Sequence, residues 1–183
     1  MNASEFKAKY VLDTTLICRE DVEARIVELA EQINIDYAGK EILLVGILRG
    51  SVMFMSELSK SITLDMAMDF MDVSSYGDDI KSSCNVKILK DLDESIEGAN
   101  VIIVEDIIDS GNTLSYLKEF MIDRCVASLK IVTLLDKPEG RTADIEADYV
   151  GFKIPNEFVV GYGLDVAQHY RNLPYIATVK VLK

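Results

Sequence analysis

The chain has 183 residues, of which 49% are apolar, enough for one domain (1–183) with a large buried core. Its formal net charge of −12 argues against nucleic-acid binding, which depends on Lys and Arg neutralising phosphates. No apolar run approaches the roughly 18 residues of a membrane span, and MNASEFKAKY lacks a signal-peptide core, so a cytoplasmic protein without a membrane role is expected.

Cys18, Cys84 and Cys125 show no metal-ligand spacing and read as reduced, inert thiols. His169 is the only histidine, which excludes a two-His metal site and leaves little basis for a Ser-His-Asp triad. Acid–base work then falls to carboxylates, lysine or tyrosine.

Along the chain, helix-like and strand-like segments alternate. Between Arg19 and Asp36, the residues Val22, Ile26, Leu29, Ala30 and Ile33 recur at helical spacing, with acids near the start where the helix dipole favours them. EILLVGIL, residues 41–48, is a near-continuous apolar run that suits a strand covered on both faces. A helix is expected over 51–62 and a strand over 63–74. SYGDDIKSSC, residues 75–84, has almost no apolar anchor and reads as a mobile loop. Strands follow at 86–89, from Gly98 into GANVIIVED, and at 128–136. A helix face is marked by Leu114, Leu117, Phe120, Met121 and Cys125. DYVGFKI, EFVVGYGLD and YIATVKVL supply the last strands. The alternation predicts an α/β fold with a mostly parallel sheet flanked by helices, with ligands at the strands' carboxyl edge. Leu48-Arg49-Gly50, Glu105 to Thr113 and Asp136-Lys137 each follow a buried strand and should meet there.

The stretch VIIVEDIIDSGNTL, residues 101–114, concentrates the chemistry. Gly111 gives a turn the freedom to approach a ligand, and the N–H groups of Ser110, Gly111, Asn112 and Thr113 at a helix start can cradle a phosphate. A plainly capped helix is the alternative, since Ser, Asn and Thr are common N-caps. Glu105 and Asp106 are costly at a buried strand end unless bonded or solvated. They would repel an isolated phosphate but accept the hydroxyls of a sugar phosphate, or hold Mg²⁺. Neither G-x-x-x-x-G-K-[ST] nor G-x-G-x-x-G is present.

This stretch closely resembles the signature of the type I phosphoribosyltransferases, and VGILRGSVMF, SSYGDD, LLDKPEGR and FVVGYGLDVAQHYRNLPYI resemble the bacterial-type hypoxanthine-guanine branch in the same order. The resemblance implies a small hood built from the N- and C-terminal segments. It implies transfer of ribose 5-phosphate from 5-phospho-α-D-ribose 1-diphosphate to N9 of a 6-oxopurine, with Mg²⁺, in a homodimer or homotetramer. Glu105 and Asp106 would hold the ribose hydroxyls, and the metal with Asp165 acting through water. Asp109 would be the general base. Arg49, Gly50 and Arg171 would meet pyrophosphate, and the bond before Arg49 is often a cis peptide in this family. Lys137 would donate to the 6-oxygen, which selects against the 6-amino group of adenine. Phe158 and Ile107 would flank the base and Val159 would meet its edge; read bare, EFVV is a strand and Phe158 a core residue. Ser75 and Tyr76 would close over the sugar. A phosphoribosyl-diphosphate-sensing regulator and a xanthine-preferring transferase remain as alternatives.

Overall fold

The computed structural model describes residues 9–76 and 85–182. A central sheet of six strands carries the fold. In chain order, these and the other elements are β1 (Tyr10–Ile17), α1 (Arg19–Asp36), β2 (Ile42–Leu48), α2 (Ser51–Ser61), β3 (Met66–Tyr76), β4 (Asn85–Lys90), β5 (Asn100–Ile108), α3 (Asn112–Ile122), β6 (Ser128–Asp136), a 3₁₀ turn (Pro138–Gly140), β7 (Tyr149–Lys153), β8 (Val159–Val160) and β9 (Ile176–Val181). The six-stranded sheet has the order β4-β3-β2-β5-β6-β7 and is parallel throughout, except that β4 runs antiparallel along the β3 edge.

The near-continuous apolar runs belong to strands covered on both faces. Along β2, Ile42 and Leu44 join one cluster while Val45 and Ile47 join the other. Along β5, Ile102 and Val104 face the first cluster, and Val101 and Ile103 the second. The first cluster also takes Val22, Ile26, Leu29, Ala30 and Ile33 of α1, with Phe54, Met55 and Leu58 of α2. The second takes Leu114, Leu117 and Met121 of α3. Each fully buried Leu, Ile or Phe contributes about 1.5–3 kcal/mol. The Asn34 side chain joins α1 to the end of α2 by donating to Ser61 O at 3.1 Å and accepting from Thr63 N at 2.9 Å.

From β2 the chain moves outward to β3 on one side; from β5 it moves outward to β6 and β7 on the other. The order therefore reverses between β2 and β5, and a crevice opens at their carboxyl ends. A second sheet, β1-β9-β8, unites the two ends of the chain as the expected hood.

Three expectations are corrected. β1 was not foreseen: half of its residues are exposed, with Asp13, Thr14 and Thr15 exposed in a row, and register irregularities against β9 break its alternation. Strand β3 runs on through Ser75 and Tyr76, which pair with Val86 and Asn85, so the polar loop expected from residue 75 begins no earlier than 77. Residues 77–84, Cys84 included, lie outside the described residues, as do the side chains of Ser75 and Tyr76. The strand expected over EFVVGYGLD is two residues long, because Gly161, Tyr162 and Gly163 all have positive φ and fold the chain into a tight turn.

Candidate active site

At the carboxyl ends of β2 and β5 lies a pocket of about 290 Å³, lined by Leu48 and Gly50, by Glu105 to Gly111, and by Thr113 and Leu114. Two of the three loops read from the sequence as convergent, at Leu48–Gly50 and at Glu105–Thr113, line it, and Lys137 of the third reaches it through Asp109.

β2 ends in a cis peptide bond between Leu48 and Arg49. Ser51, fully buried at the start of α2, returns its hydroxyl to Ile47 O at 2.7 Å and holds this corner. The Gly50 backbone is wedged between two neighbours. A Cβ at Gly50 would lie 1.5 Å from Asp106 Oδ2, and a Cβ at Gly163 would lie 1.8 Å from Gly50 O. Only glycine at both positions lets strand, loop and hood close together.

Glu105 and Asp106 stand within β5, three and two residues before its end. Asp106 Oδ1 accepts the Ile107 N–H at 2.8 Å. Burial is the main force on both acids. It raises the Asp106 carboxyl to about 6, against the opposing pull of the Ile107 N–H and the Arg171 guanidinium. It pushes Glu105 well above the usual range, with the Asp106 charge adding to the effect.

Beyond β5, Gly111 has φ +81° and stands at the N-cap of α3, where no side chain caps the helix. The N-cap is thus the backbone of a glycine and not one of the Ser, Asn or Thr side chains that the alternative names. Among the described residues, the N–H groups of Ser110, Gly111 and Thr113 find no partner in the protein, while Asn112 N donates to Ser110 Oγ at 3.5 Å. Such a turn at a helix start is an anion-binding nest.

Asp109 does not cap the helix. Its Oδ2 accepts Lys137 Nζ at 3.3 Å, and Lys137 N donates to Ile108 O at 2.9 Å. Lys137 is buried, not the surface lysine its bare sequence context suggests. Phe158 is 55% exposed and so is no core residue, whereas Val159 behind it is buried. Both lie outside the lining of this pocket, on the hood. Ile107 packs at the margin of the first core cluster.

A chain of polar contacts links the hood to Arg49. Asp165 Oδ1 pairs with Arg171 at 2.6 Å, and Asp165 Oδ2 accepts Gln168 N at 2.6 Å. The Gln168 side-chain oxygen accepts from Arg49 at 3.4 Å and from Arg171 at 3.2 Å. Asp165 thus has both oxygens engaged. Among the described residues no three His, Cys, Asp or Glu side chains gather into a metal cluster, and the Asp165 charge still acts on the Asp106 carboxyl. Sequence reasoning also missed Gln168, which no motif marks, and Arg141, whose position just past the strand end at Asp136-Lys137 was a usable signal.

A sheet of this order, with a terminal-strand hood meeting its switch point, is the architecture of the type I phosphoribosyltransferases. The model of the phosphoribosyl transferase domain matches residues 19–167, and the chain belongs to that family. Within it, the chain belongs with the hypoxanthine-guanine phosphoribosyltransferases. It is 53% identical over 172 residues to the hypoxanthine-guanine phosphoribosyltransferase of Bacillus subtilis, covering 94% of this chain and 96% of that one. The solved hypoxanthine phosphoribosyltransferase of Staphylococcus aureus superposes with a TM-score of 0.90 at 52% identity, covering 98% of this chain and 96% of that one. The chain is also 53% identical over 169 residues to the bifunctional protein TilS/HprT of Listeria monocytogenes, which covers 92% of this chain, yet it spans only 26% of that longer protein.

Proposed function

We propose that the chain, as one domain over 1–183, transfers the 5-phosphoribosyl group of 5-phospho-α-D-ribose 1-diphosphate to N9 of hypoxanthine, and of guanine, releasing pyrophosphate in purine salvage. The observation that carries this reading is the meeting, at one switch point, of a carboxylate pair, an N–H nest and the Lys137–Asp109 pair.

The 5′-phosphate sits on the N–H groups of Ser110, Gly111 and Thr113, with the Asn112 backbone and the hydroxyls of Ser110 and Thr113 beside them. Glu105 and Asp106 accept the ribose hydroxyls. Their negative charge, in a water-poor site, favours the cationic sugar that forms as the bond to pyrophosphate breaks. Asp109 takes the proton from purine N7 as N9 attacks. Lys137 holds the 6-oxygen, Phe158 and Ile107 flank the ring, and the Val159 backbone meets its edge. Arg49, the Gly50 backbone and Arg171 receive pyrophosphate. Ser75 and Tyr76 close over the sugar.

Mg²⁺ fits the donor set. Two adjacent carboxylates, both disfavoured as anions by burial, offer hard oxygen ligands that a divalent cation would stabilise, and Mg²⁺ commonly uses one or two carboxylates plus substrate phosphates and water. When bound with the diphosphate, it neutralises charge on the leaving group. Asp165 contributes through water.

The protein is cytoplasmic in this reading, and no described helix is long and apolar enough to cross a membrane. Its partners are small molecules and further copies of itself. A homodimer or homotetramer is the state that the resemblance implies, and light scattering would give it.

The reading is tested by mixing the protein with phosphoribosyl diphosphate, Mg²⁺ and hypoxanthine. Nucleotide and pyrophosphate should appear in equal amounts. Absence of both would end it.

A further inference from the structure

We infer that Arg141 is a positioning residue that turns the phosphate loop so that its N–H groups, and not its carbonyls, face the 5′-phosphate; this rests on the phosphoribosyl reading above. After β6 the chain makes the 3₁₀ turn at Pro138–Gly140 and passes alongside residues 109–111. The Arg141 side chain is 15% exposed. Its Nε donates to Asp109 O at 3.0 Å, Nη1 donates to Ile145 O, and Nη2 pairs with the Asp136 carboxylate, itself 13% exposed. Next along the chain, Thr142 N and Ala143 N both donate to Ser110 O at 3.0 Å.

The consequence follows from peptide geometry. In a trans peptide the C=O of one residue and the N–H of the next point in opposite directions. Fixing Asp109 O and Ser110 O toward the 141–143 segment therefore turns the N–H groups of Ser110 and Gly111 the other way, and both residues line the pocket. Gly111 has no space for anything larger on the supporting side. A Cβ there would lie 2.9 Å from Arg141 Cδ and 2.6 Å from Ile145 Cγ2. Arg141 also closes the turn that carries Lys137, by pairing with Asp136 just before it. One guanidinium thus ties the phosphate loop to the purine-side loop. A planar fork of five N–H donors can satisfy three acceptors on three segments at once; a lysine ammonium, a single compact charge, cannot hold the same geometry.

The test is direct binding of ribose 5-phosphate and, separately, of pyrophosphate to wild-type protein and to Arg141→Lys by calorimetry, with thermal melting alongside. Arg141→Lys should weaken ribose 5-phosphate by about tenfold or more, in line with a lost hydrogen bond to a charged group, and leave pyrophosphate unchanged. A general loss of structure would weaken both alike, and that result, or unchanged ribose 5-phosphate binding, would overturn the inference. The double variant Asp136→Asn with Arg141→Gln leaves no unpaired buried charge. It is expected to show the same selective loss and serves if the single variant does not fold. Wild-type protein that binds ribose 5-phosphate but forms no nucleotide would end the catalytic reading and leave the Arg141 comparison decisive; wild-type protein that binds no ribose 5-phosphate would end both.

Discussion

Lys137 Nζ lies 3.3 Å from Asp109 Oδ2, so the proposed contact to the purine 6-oxygen and the proposed proton acceptor form one ion pair across two loops. Lys137 is almost enclosed, with its side chain 7% exposed, while that of Asp109 is 55% exposed. A purine that offers its 6-oxygen to Lys137 and its N7 proton to Asp109 would satisfy both at once.

Replacing Asp109 by Asn keeps an oxygen for Lys137 but removes the base. General acid–base catalysis contributes about 10²–10⁴-fold, and kcat should fall by that order while the KM for phosphoribosyl diphosphate changes little. Steady-state kinetics with both substrates varied would show it. Full turnover at saturation would remove Asp109 from the proton transfer.

Phe158, more than half exposed, supports little of the core. Its proposed value lies in stacking, about 1–3 kcal/mol per base by alanine substitution. Phe158→Ala should therefore raise the KM for hypoxanthine by roughly 5- to 150-fold and leave the melting temperature unchanged. A drop in thermal stability with an unaltered KM would return Phe158 to a structural role.

The raised carboxyl of Asp106 predicts a pH dependence of stability. Its folded value, about 6, exceeds the ordinary 3.8, so in that window the folded protein holds a proton that the unfolded chain has lost. Stability from this group is complete below the lower value and is lost as pH rises through the upper one; Glu105, raised for the same main reason, acts in the same direction. Asp106→Asn should flatten the fall when denaturant midpoints are measured across that range. Mg²⁺ binds the deprotonated acids, so it should raise the melting temperature more above pH 6 than below it. Equal effects on both sides would show that these carboxylates do not hold the metal.

Gly50→Ala tests the wedge beside Asp106. A Cβ placed 1.5 Å from Asp106 Oδ2 must displace the carboxylate or the loop. A displacement near 1 Å in a catalytic constellation can cost about 10²-fold, and activity should fall by at least that much in a protein that still folds. Near-normal turnover would show that Asp106 does not need its present place.

The sheet was legible because its strands are buried on both faces: ILLVGIL and VIIV read as strands by composition alone, and each loop that follows them reached the predicted edge. The helix face of Val22, Ile26, Leu29, Ala30 and Ile33 was legible through its period, and all five residues are buried. Hood strands were harder. β1 exposes half of its residues, three of them in a row, and in GYG the left-handed turn, invisible to a period-2 pattern, cuts β8 to two residues. In the site, Glu105, Asp106 and the Gly111 loop announced themselves by residue type and spacing. Lys137 and Phe158 were chosen through the resemblance alone; bare sequence context suggested a surface lysine and a buried ring, the reverse of what each became. Gln168 reaches Arg49, 119 residues away, and no local pattern records that contact; Arg141 reaches Asp109 across 32 residues, and its place just past Asp136-Lys137 was the one local signal.

Transfer to a 6-oxopurine is tested most directly by kcat/KM for hypoxanthine and for adenine at saturating phosphoribosyl diphosphate and Mg²⁺. Lys137 can only donate, and a site built on such a hydrogen bond rejects the mismatched analogue by up to about 10⁴–10⁵-fold. A preference for hypoxanthine approaching that size is expected, reduced sharply in Lys137→Met. Adenine turnover rivalling that of hypoxanthine in the wild-type protein would contradict it.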